Sequence, residues 1–310
     1  MPPDPNFNSS MVALCLQIGR GCLELARLED AEKALLTAQR SGTPALGEDH
    51  ELMINALDLL GNVYFEQGEL DKSEQTLGRA LTVKQAKYGS KHFVSLIALN
   101  NLGDANVEAG HLDLAERHYQ QALCGLQDLL DGSQRAHASR LARSLGALYQ
   151  TQAKMQQAED MFKLARQIAE AEAPVGDDLR FDATSSLGEF YIAQRRFQDA
   201  QDTYEDGLRG HNEMMPPDVY NNLAVSYLAL GKLPEAETMA QKSVRVHCEI
   251  YGEKYLQTSQ AYFTLGSVYN KQGRTEDADD AYEKTGFTRL PGGKFILPQG
   301  IDSDDVLDMP

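Results

Sequence analysis

The sequence predicts an all-α fold, a solenoid of about seven helical hairpins. A pattern of small and aromatic residues recurs along the 310-residue chain, and 42% of the residues are apolar, which is enough for a continuous core. The first small residue of the pattern recurs in steps of 42, 42, 43, 42, 36 and 42 residues, at Gly19, Gly61, Gly103, Gly146, Gly188, Ala224 and Gly266. A near-constant step of this length is typical of stacked helical repeats, in which each unit packs on its neighbours.

The third repeat, residues 97–123, shows how one unit is built. A first helix contains Gly103, a turn follows at Gly110, and a second helix contains Ala115 and Tyr119 at the spacing of one buried stripe. Gly103 and Ala115 lack bulk where two helix backbones must approach, and Tyr119 fills the space beside them. We therefore expect these residues to form core rather than a binding site.

The repeat pattern also predicts the domain boundaries. Residues 1–10, rich in Pro and Asn, are expected to form a disordered lead. The periodicity stops after residue 285, and residues 286–310 combine an apolar patch, 295–297, with an acidic end. We expect the patch to cap the last hairpin and the acidic end to be disordered; the alternative is that this end occupies the chain's own binding groove. The seven units lie near residues 11–40, 54–85, 96–127, 139–170, 181–210, 217–248 and 259–285.

Charge and cysteine usage narrow the class of protein. The chain has 46 acidic and 29 basic residues and a formal charge of −17, which repels nucleic acid and anionic membranes and favours basic or mixed-charge protein partners. Cys15, Cys22, Cys124 and Cys248 show no metal-type pairing, so reduced thiols of a cytoplasmic protein are expected. The sequence shows no pattern of a secretory signal peptide and no apolar run of about 18 residues. We therefore expect neither secretion nor membrane insertion.

Catalytic and metal-binding motifs are not found in the sequence. The seven histidines are scattered without HxxxH or HExxH spacing. The recurring glycines lie within predicted helices rather than in a phosphate-binding loop, and no GxSxG motif occurs. We therefore predict a protein that is not an enzyme, with no catalytic residues, no metal site and no cofactor.

The full pattern resembles the tetratricopeptide repeat over residues 11–285. The shared pattern has Leu–Gly at the seventh and eighth places, Tyr at the eleventh, Gly at the fifteenth, Ala at the twentieth and an aromatic residue or Leu at the twenty-fourth. The first unit matches it weakly but in phase, and the phase holds in units that lose one of the glycines. The 42-residue step, the strings at 98–103 and 219–224, and KYG or IYG in the connections are similar to the kinesin-light-chain subtype. The chain departs from the pattern in having no Trp at the fourth place and only Ala240 at the twenty-fourth place of the sixth unit. The resemblance implies a right-handed superhelix whose first helices line a concave groove.

Polar residues fall at the places that the resemblance assigns to this groove. An Asn side chain carries a donor and an acceptor, so a ladder of them can hydrogen-bond the backbone of an extended peptide whatever its sequence. Arg140 and Arg143, about one helical turn apart, would clamp an acidic side chain of a ligand. The candidate peptide-binding residues are Asn62, Asn100, Asn101, Asp104, Arg140, Arg143, Asn221, Asn222 and Asn270.

Two interpretations of these residues stay open, and so do two functions. The asparagines are either peptide contacts or ordinary helix-surface residues, and the arginines either bind a ligand or pair with Asp104, Glu108 or Asp182 in neighbouring units. The favoured function is a non-catalytic interaction scaffold, in the manner of a cargo or adaptor module, that binds an extended segment of a protein partner. The alternative is a regulatory helical-repeat sensor whose curvature responds to a peptide or small ligand. The chain is expected to be a monomer or a weak homo-oligomer.

Overall fold

Helical hairpins make up nearly all of the described chain. The computed structural model describes residues 5–127, 132–172, 178–209, 216–253, 255–285, 288–289 and 295–296. They belong to two compact units, the first ending at residue 172 and the second beginning at residue 173. The predicted all-α repeat fold is confirmed.

The first unit contains four hairpins, each made of two consecutive helices. Within each hairpin the two helices contact each other, and the second helix contacts the first helix of the following hairpin. Its described helices are α1 (Pro5–Glu24), α2 (Leu28–Leu46), α3 (Glu51–Glu66), α4 (Leu70–Tyr88), α5 (Phe93–Glu108), α6 (Leu112–Gln127), α7 (Gly132–Thr151) and α8 (Met155–Glu172).

The second unit contains three further hairpins and a short pair of strands. The strands β1 (Thr288–Arg289) and β2 (Phe295–Ile296) are antiparallel, with Thr288 opposite Ile296. Its described helices are α9 (Asp178–Ala193), α10 (Phe197–Leu208), α11 (Pro217–Ala229), α12 (Leu233–Tyr251), α13 (Leu256–Lys271) and α14 (Thr275–Lys284).

Small residues allow the two helices of a hairpin to approach, as predicted. A Cβ atom at Gly103 would lie 2.4 Å from Cε1 of Tyr119, so a larger residue would displace the ring. Ala115 is fully buried and Tyr119 is nearly so. The assignment of these residues to the core of the third hairpin is confirmed.

The turn between the two helices requires a left-handed residue. Gly110 has φ 76°. In three other hairpins the equivalent position of the turn is occupied by Ala26, Ala153 or Arg195, and their φ angles lie between 55° and 57°. Glycine adopts this conformation without steric cost, whereas a residue with a Cβ is strained in it. The helix packing on either side therefore holds the turn even where glycine is replaced.

The ends of the array differ in detail from the sequence expectation. α1 begins at Pro5, so residues 5–10, expected to be disordered, are helical. Proline is compatible with a helix start, because the first turn has no partner for its backbone N–H. At the other end, most of the tail lies outside the described residues, including Leu297 and the acidic stretch. The capping role of residues 295–297 stays a prediction.

Candidate functional site

All nine candidate residues lie on the first helices of their hairpins. The three in the second unit are Asn221 and Asn222 on α11 and Asn270 on α13. The six in the first unit are called here the first-helix surface: Asn62 on α3, Asn100, Asn101 and Asp104 on α5, and Arg140 and Arg143 on α7. α5 contacts α7 directly, and α11 contacts both α9 and α13. Candidate residues on successive first helices of one unit, such as α5 and α7, therefore lie on helices that contact each other.

Asp104 is held by two polar neighbours within the third hairpin. The Tyr119 hydroxyl donates a hydrogen bond to Oδ1, and Asn100 Nδ2 donates to Oδ2 at 3.1 Å. Burial raises the pKa of the Asp104 carboxyl, although the hydrogen bonds from Tyr119 and Asn100 oppose this shift. Burial, followed by the charge of Asp104, also raises the pKa of Tyr119. The ring of Tyr119 is core, as predicted, but its hydroxyl belongs to the polar surface, which the sequence analysis missed.

Three candidate asparagines keep their amides free of internal hydrogen bonds. Within the described ranges, the side chains of Asn62, Asn101 and Asn270 form none. Asn62 and Asn101 are half-buried and stand on first helices of consecutive hairpins, and Asn270 is exposed. Each amide therefore retains its donor and acceptor capacity for a ligand.

The two candidates on α11 differ from each other. Asn222 Nδ2 donates to Oε1 of Glu189 at 3.3 Å and so joins α11 to α9. Asn221 Oδ1 is buried, and no residue in the described part of the chain donates a hydrogen bond to it. A buried oxygen is not accessible to a peptide, so Asn221 contributes less to a binding surface than Asn222.

Arg140 pairs within its own helix rather than with a neighbouring carboxylate. Its Nη2 donates to Nδ1 of His137 at 2.8 Å, and the His137 ring lies 5.2 Å from that of Phe93. Burial, followed by the charge of Arg140, lowers the pKa of His137, so the imidazole is neutral at pH 7 and can accept this bond. Arg140 is exposed and has no ion pair among the residues described, whereas Arg143 makes contacts within the chain.

A second polar system joins successive hairpins, and the sequence analysis missed it. In each pair, a side chain near the start of one second helix meets a residue at the turn of the following hairpin. We call these pairs the inter-hairpin seam: Glu32 with Gln67 (3.1 Å), Glu74 with His111 (3.2 Å) and Glu116 with Lys154 (2.7 Å) in the first unit, and Gln201 with Lys232 (2.7 Å) and Glu237 with Arg274 (2.9 Å) in the second.

Glu116, like Glu237, accepts several hydrogen bonds in the seam. It accepts from Lys154 Nζ, from Gln120 Nε2 at 3.0 Å and from the Tyr149 hydroxyl at 3.3 Å. The hydrogen bond from Lys154 is the largest cause of the lowered pKa of Glu116. A signal for the seam exists in the sequence, because Glu or Gln recurs at one place of the unit: Glu32, Glu74, Glu116, Glu159, Gln201 and Glu237.

Over the described residues, no three side chains of His, Cys, Asp or Glu come together in a way that could hold a metal ion. None of the described helices combines the length and the apolar character needed to cross a membrane.

Comparison with known families agrees with the repeat pattern. A family model described as "Tetratricopeptide repeat" matches residues 10–86, 53–128 and 217–285, and a second model of the same description matches residues 186–246. Among curated protein sequences, none matches at a significant level.

Solved structures of similar fold come from several kinds of protein. BtubC (BKLC) from P. vanneervenii is 21% identical with a TM-score of 0.58, over 75% of this chain and 98% of that chain. The apo quorum sensor NprR from B. thuringiensis is 14% identical with a TM-score of 0.54, over 88% of this chain and 86% of that one. A signal transduction ATPase with a tetratricopeptide repeat sensor, from Pyrococcus horikoshii, is 16% identical with a TM-score of 0.69, over 88% of this chain and 41% of that protein. At these identities the similarity extends to the fold alone.

Proposed function

The chain belongs to the tetratricopeptide repeat family, and on that premise we propose that it is a protein-interaction scaffold whose first-helix surface binds an extended segment of a partner. One observation carries the proposal. The seam carboxylates Glu116 and Glu237 are bonded inside the molecule. The amides of Asn62 and Asn101, on consecutive first helices, have no partner among the described residues. A scaffold of this kind serves as an adaptor that links a cargo protein to another component.

Unpaired amides fit an extended peptide better than a compact ligand. The backbone of an extended segment presents an N–H and a C=O at each residue, and one Asn side chain can accept from the first and donate to the second. Asn62 and Asn101 lie on the first helices of consecutive hairpins, at different places of their units, so a segment spanning two hairpins would use both. Backbone contacts of this type give affinity with little dependence on the peptide sequence.

Charged side chains on the same helices supply the sequence preference. Arg140 is exposed and its guanidinium retains donors beyond the one that His137 accepts, so an acidic residue of the partner fits there. Glu66 and Glu108 are exposed near the ends of α3 and α5 and favour basic residues. The proposed partner segment is therefore extended and of mixed charge, which agrees with a chain of net charge −17.

The test is selection of peptides from a random 12-residue display library against the purified chain, followed by titration of the selected peptides. Replacing Asn62 and Asn101 together with Ala removes both amides and leaves the packing intact. Two lost hydrogen bonds correspond to a loss of affinity of about tenfold or more. The matched control replaces Gln75 and Gln121 with Ala, because these amides are exposed on α4 and α6 of the same two hairpins.

We expect the control to bind the selected peptides as the unmodified chain does, and both variants to keep its melting temperature. If selection yields no peptide, or if the Asn62→Ala/Asn101→Ala variant binds unchanged, the first-helix surface is not the binding site and the proposal is wrong.

A further inference from the structure

The first helix of the array exposes an apolar face. Met11, Leu14 and Ile18 of α1 are 36%, 56% and 47% exposed, while Val12 on the opposite face is fully buried. Leu25, the residue directly after the end of α1, is 71% exposed, and its N–H bonds to the Gly21 carbonyl at 3.2 Å. Cys22, in the last turn of α1, is half-buried. These five residues, Met11, Leu14, Ile18, Cys22 and Leu25, are called here the α1 stripe.

In the second and third hairpins, the residues at the places equivalent to Met11, Leu14 and Ile18 are buried by helix packing. One period of 42 residues later, Met53, Ala56 and Leu60 of α3 are 2%, 0% and 3% exposed and pack in the core of the first hairpin. Met53 lies so close to Gly42 of α2 that a Cβ atom there would clash with its sulfur. The corresponding residues of α5, Ser95, Ala98 and Leu102, are likewise buried. In α1 the same face is apolar, yet Met11, Leu14 and Ile18 remain substantially exposed.

The order of residues in the α1 stripe makes it complementary to itself. Successive members are separated by three, four, four and three residues, a series that reads the same in both directions. When two such helices pack antiparallel about a twofold axis at Ile18, Met11 of one faces Leu25 of the other, Leu14 faces Cys22, and Ile18 faces its own copy.

Charge also favours a second copy of α1 over the other end of the array. Two chains of net charge −17 repel each other, yet α1 contains only Arg20 and Glu24 as charged residues, and these have opposite signs. α14 carries five acidic residues and a single Lys over ten positions. Stacking α14 on the α1 stripe would set an acidic helix against apolar side chains, whereas pairing α1 with α1 buries apolar surface on both sides.

We propose that the α1 stripe is a homodimer contact, in which a second copy of this chain packs its own stripe antiparallel about a twofold axis near Ile18. The contact uses none of the residues of the first-helix surface, so it stands independently of the proposed peptide binding. It would present two copies of that surface to one bivalent partner and thereby raise the apparent affinity.

The first test measures molar mass by light scattering over a series of concentrations of the full chain. Ile18→Asp places two carboxylates opposite each other at the twofold axis, so we expect a monomer where the unmodified chain is a dimer. The matched control is Gln17→Asp, which changes the charge equally at an exposed position about 100° around the helix; it should remain a dimer. Circular dichroism and melting temperature show that Ile18→Asp is folded.

The second test fixes the geometry of the contact by crosslinking. In a background with all four native cysteines replaced by Ala, Ile18→Cys should form a disulfide-linked dimer with oxidised glutathione, because its Cβ atoms meet at the axis. Gln17→Cys should not. The proposal is overturned if the unmodified chain is a monomer up to its solubility limit, if Ile18→Asp remains a dimer, or if Gln17→Cys crosslinks as readily as Ile18→Cys.

Discussion

Glu116 and Asp104 are carboxylates of the same hairpin, and their pKa values are shifted in opposite directions. Glu116 lies in the inter-hairpin seam, where Lys154 lowers its pKa by stabilising the charged form. Asp104 lies on the first-helix surface, where burial raises its pKa and where, among the described residues, its donors are the Tyr119 hydroxyl and the Asn100 amide. The charge of Glu116 is therefore compensated by a cation from the next hairpin, whereas no cation pairs with Asp104 among the described residues.

This difference separates a structural role from a binding role. A carboxylate that meets a Lys of the next hairpin contributes to the order in which hairpins stack. A carboxylate whose charge is only partly compensated attracts a cationic group from outside. Asp104, together with the unpaired amides of Asn62 and Asn101, gives the first-helix surface the capacity to bind a partner with a basic residue.

The largest expected effect comes from placing a carboxylate one residue away from Glu116. Ala115 is fully buried on α6, so Ala115→Glu places a charge in a site where the wild-type residue has no contact with solvent. We expect a loss of about 3 kcal/mol or more of unfolding free energy, measured by thermal or urea denaturation. Leu114→Glu makes the same change of charge at a position that is 40% exposed and should alter stability little. Equal stabilities of the two variants would show that the helix register is wrong.

The packing of the hairpins could be predicted from the sequence because it is encoded locally. The recurrence of Gly103, Ala115 and Tyr119 at fixed offsets specifies which helix face is buried, since a 3.6-residue period converts spacing directly into direction. The contact of Gly103 with the ring of Tyr119 follows from it and is confirmed. The candidate residues were placed on first helices by the same offsets, and all of them lie there.

The polar contacts could not be predicted in the same way. Lys154 and Glu116 are 38 residues apart, and which donor meets which acceptor depends on how two hairpins stack. The hydroxyl of Tyr119 reaches Asp104 only because its ring crosses the space that Gly103 leaves open. Asn100 and Asn101 are neighbours of one residue type, yet Asn100 bonds to Asp104 and Asn101 has no hydrogen-bond partner in the described part of the chain, which spacing alone does not reveal.

A smaller effect is expected from removing the charge of Glu116. The pKa of Glu116 in the folded protein lies below its ordinary value of 4.5. The stability that the ionised Glu116 contributes is therefore fully present above pH 4.5, and it is lost as the pH falls through the pKa of the folded protein. Glu116→Gln should therefore lower the melting temperature by a few degrees at pH 7, and the difference should vanish in acid. Glu66→Gln, at an exposed position, is the control and should show no such dependence. A constant difference at every pH would mean that Lys154 does not stabilise the charged form.

The smallest effect, opposite in sign, is expected at Asp104. Its folded pKa lies above the ordinary value of 3.8, so ionisation costs stability as the pH rises through the folded value, and there is no cost below 3.8. Asp104→Asn keeps an acceptor for Tyr119 and cannot ionise. It should raise the melting temperature slightly at pH 7 and leave it unchanged in acid, so that its pH profile runs opposite to that of Glu116→Gln. If Asp104→Asn instead lowers the melting temperature at pH 7, the hydrogen bonds from Tyr119 and Asn100 outweigh burial, and Asp104 is as fully compensated as the seam carboxylates.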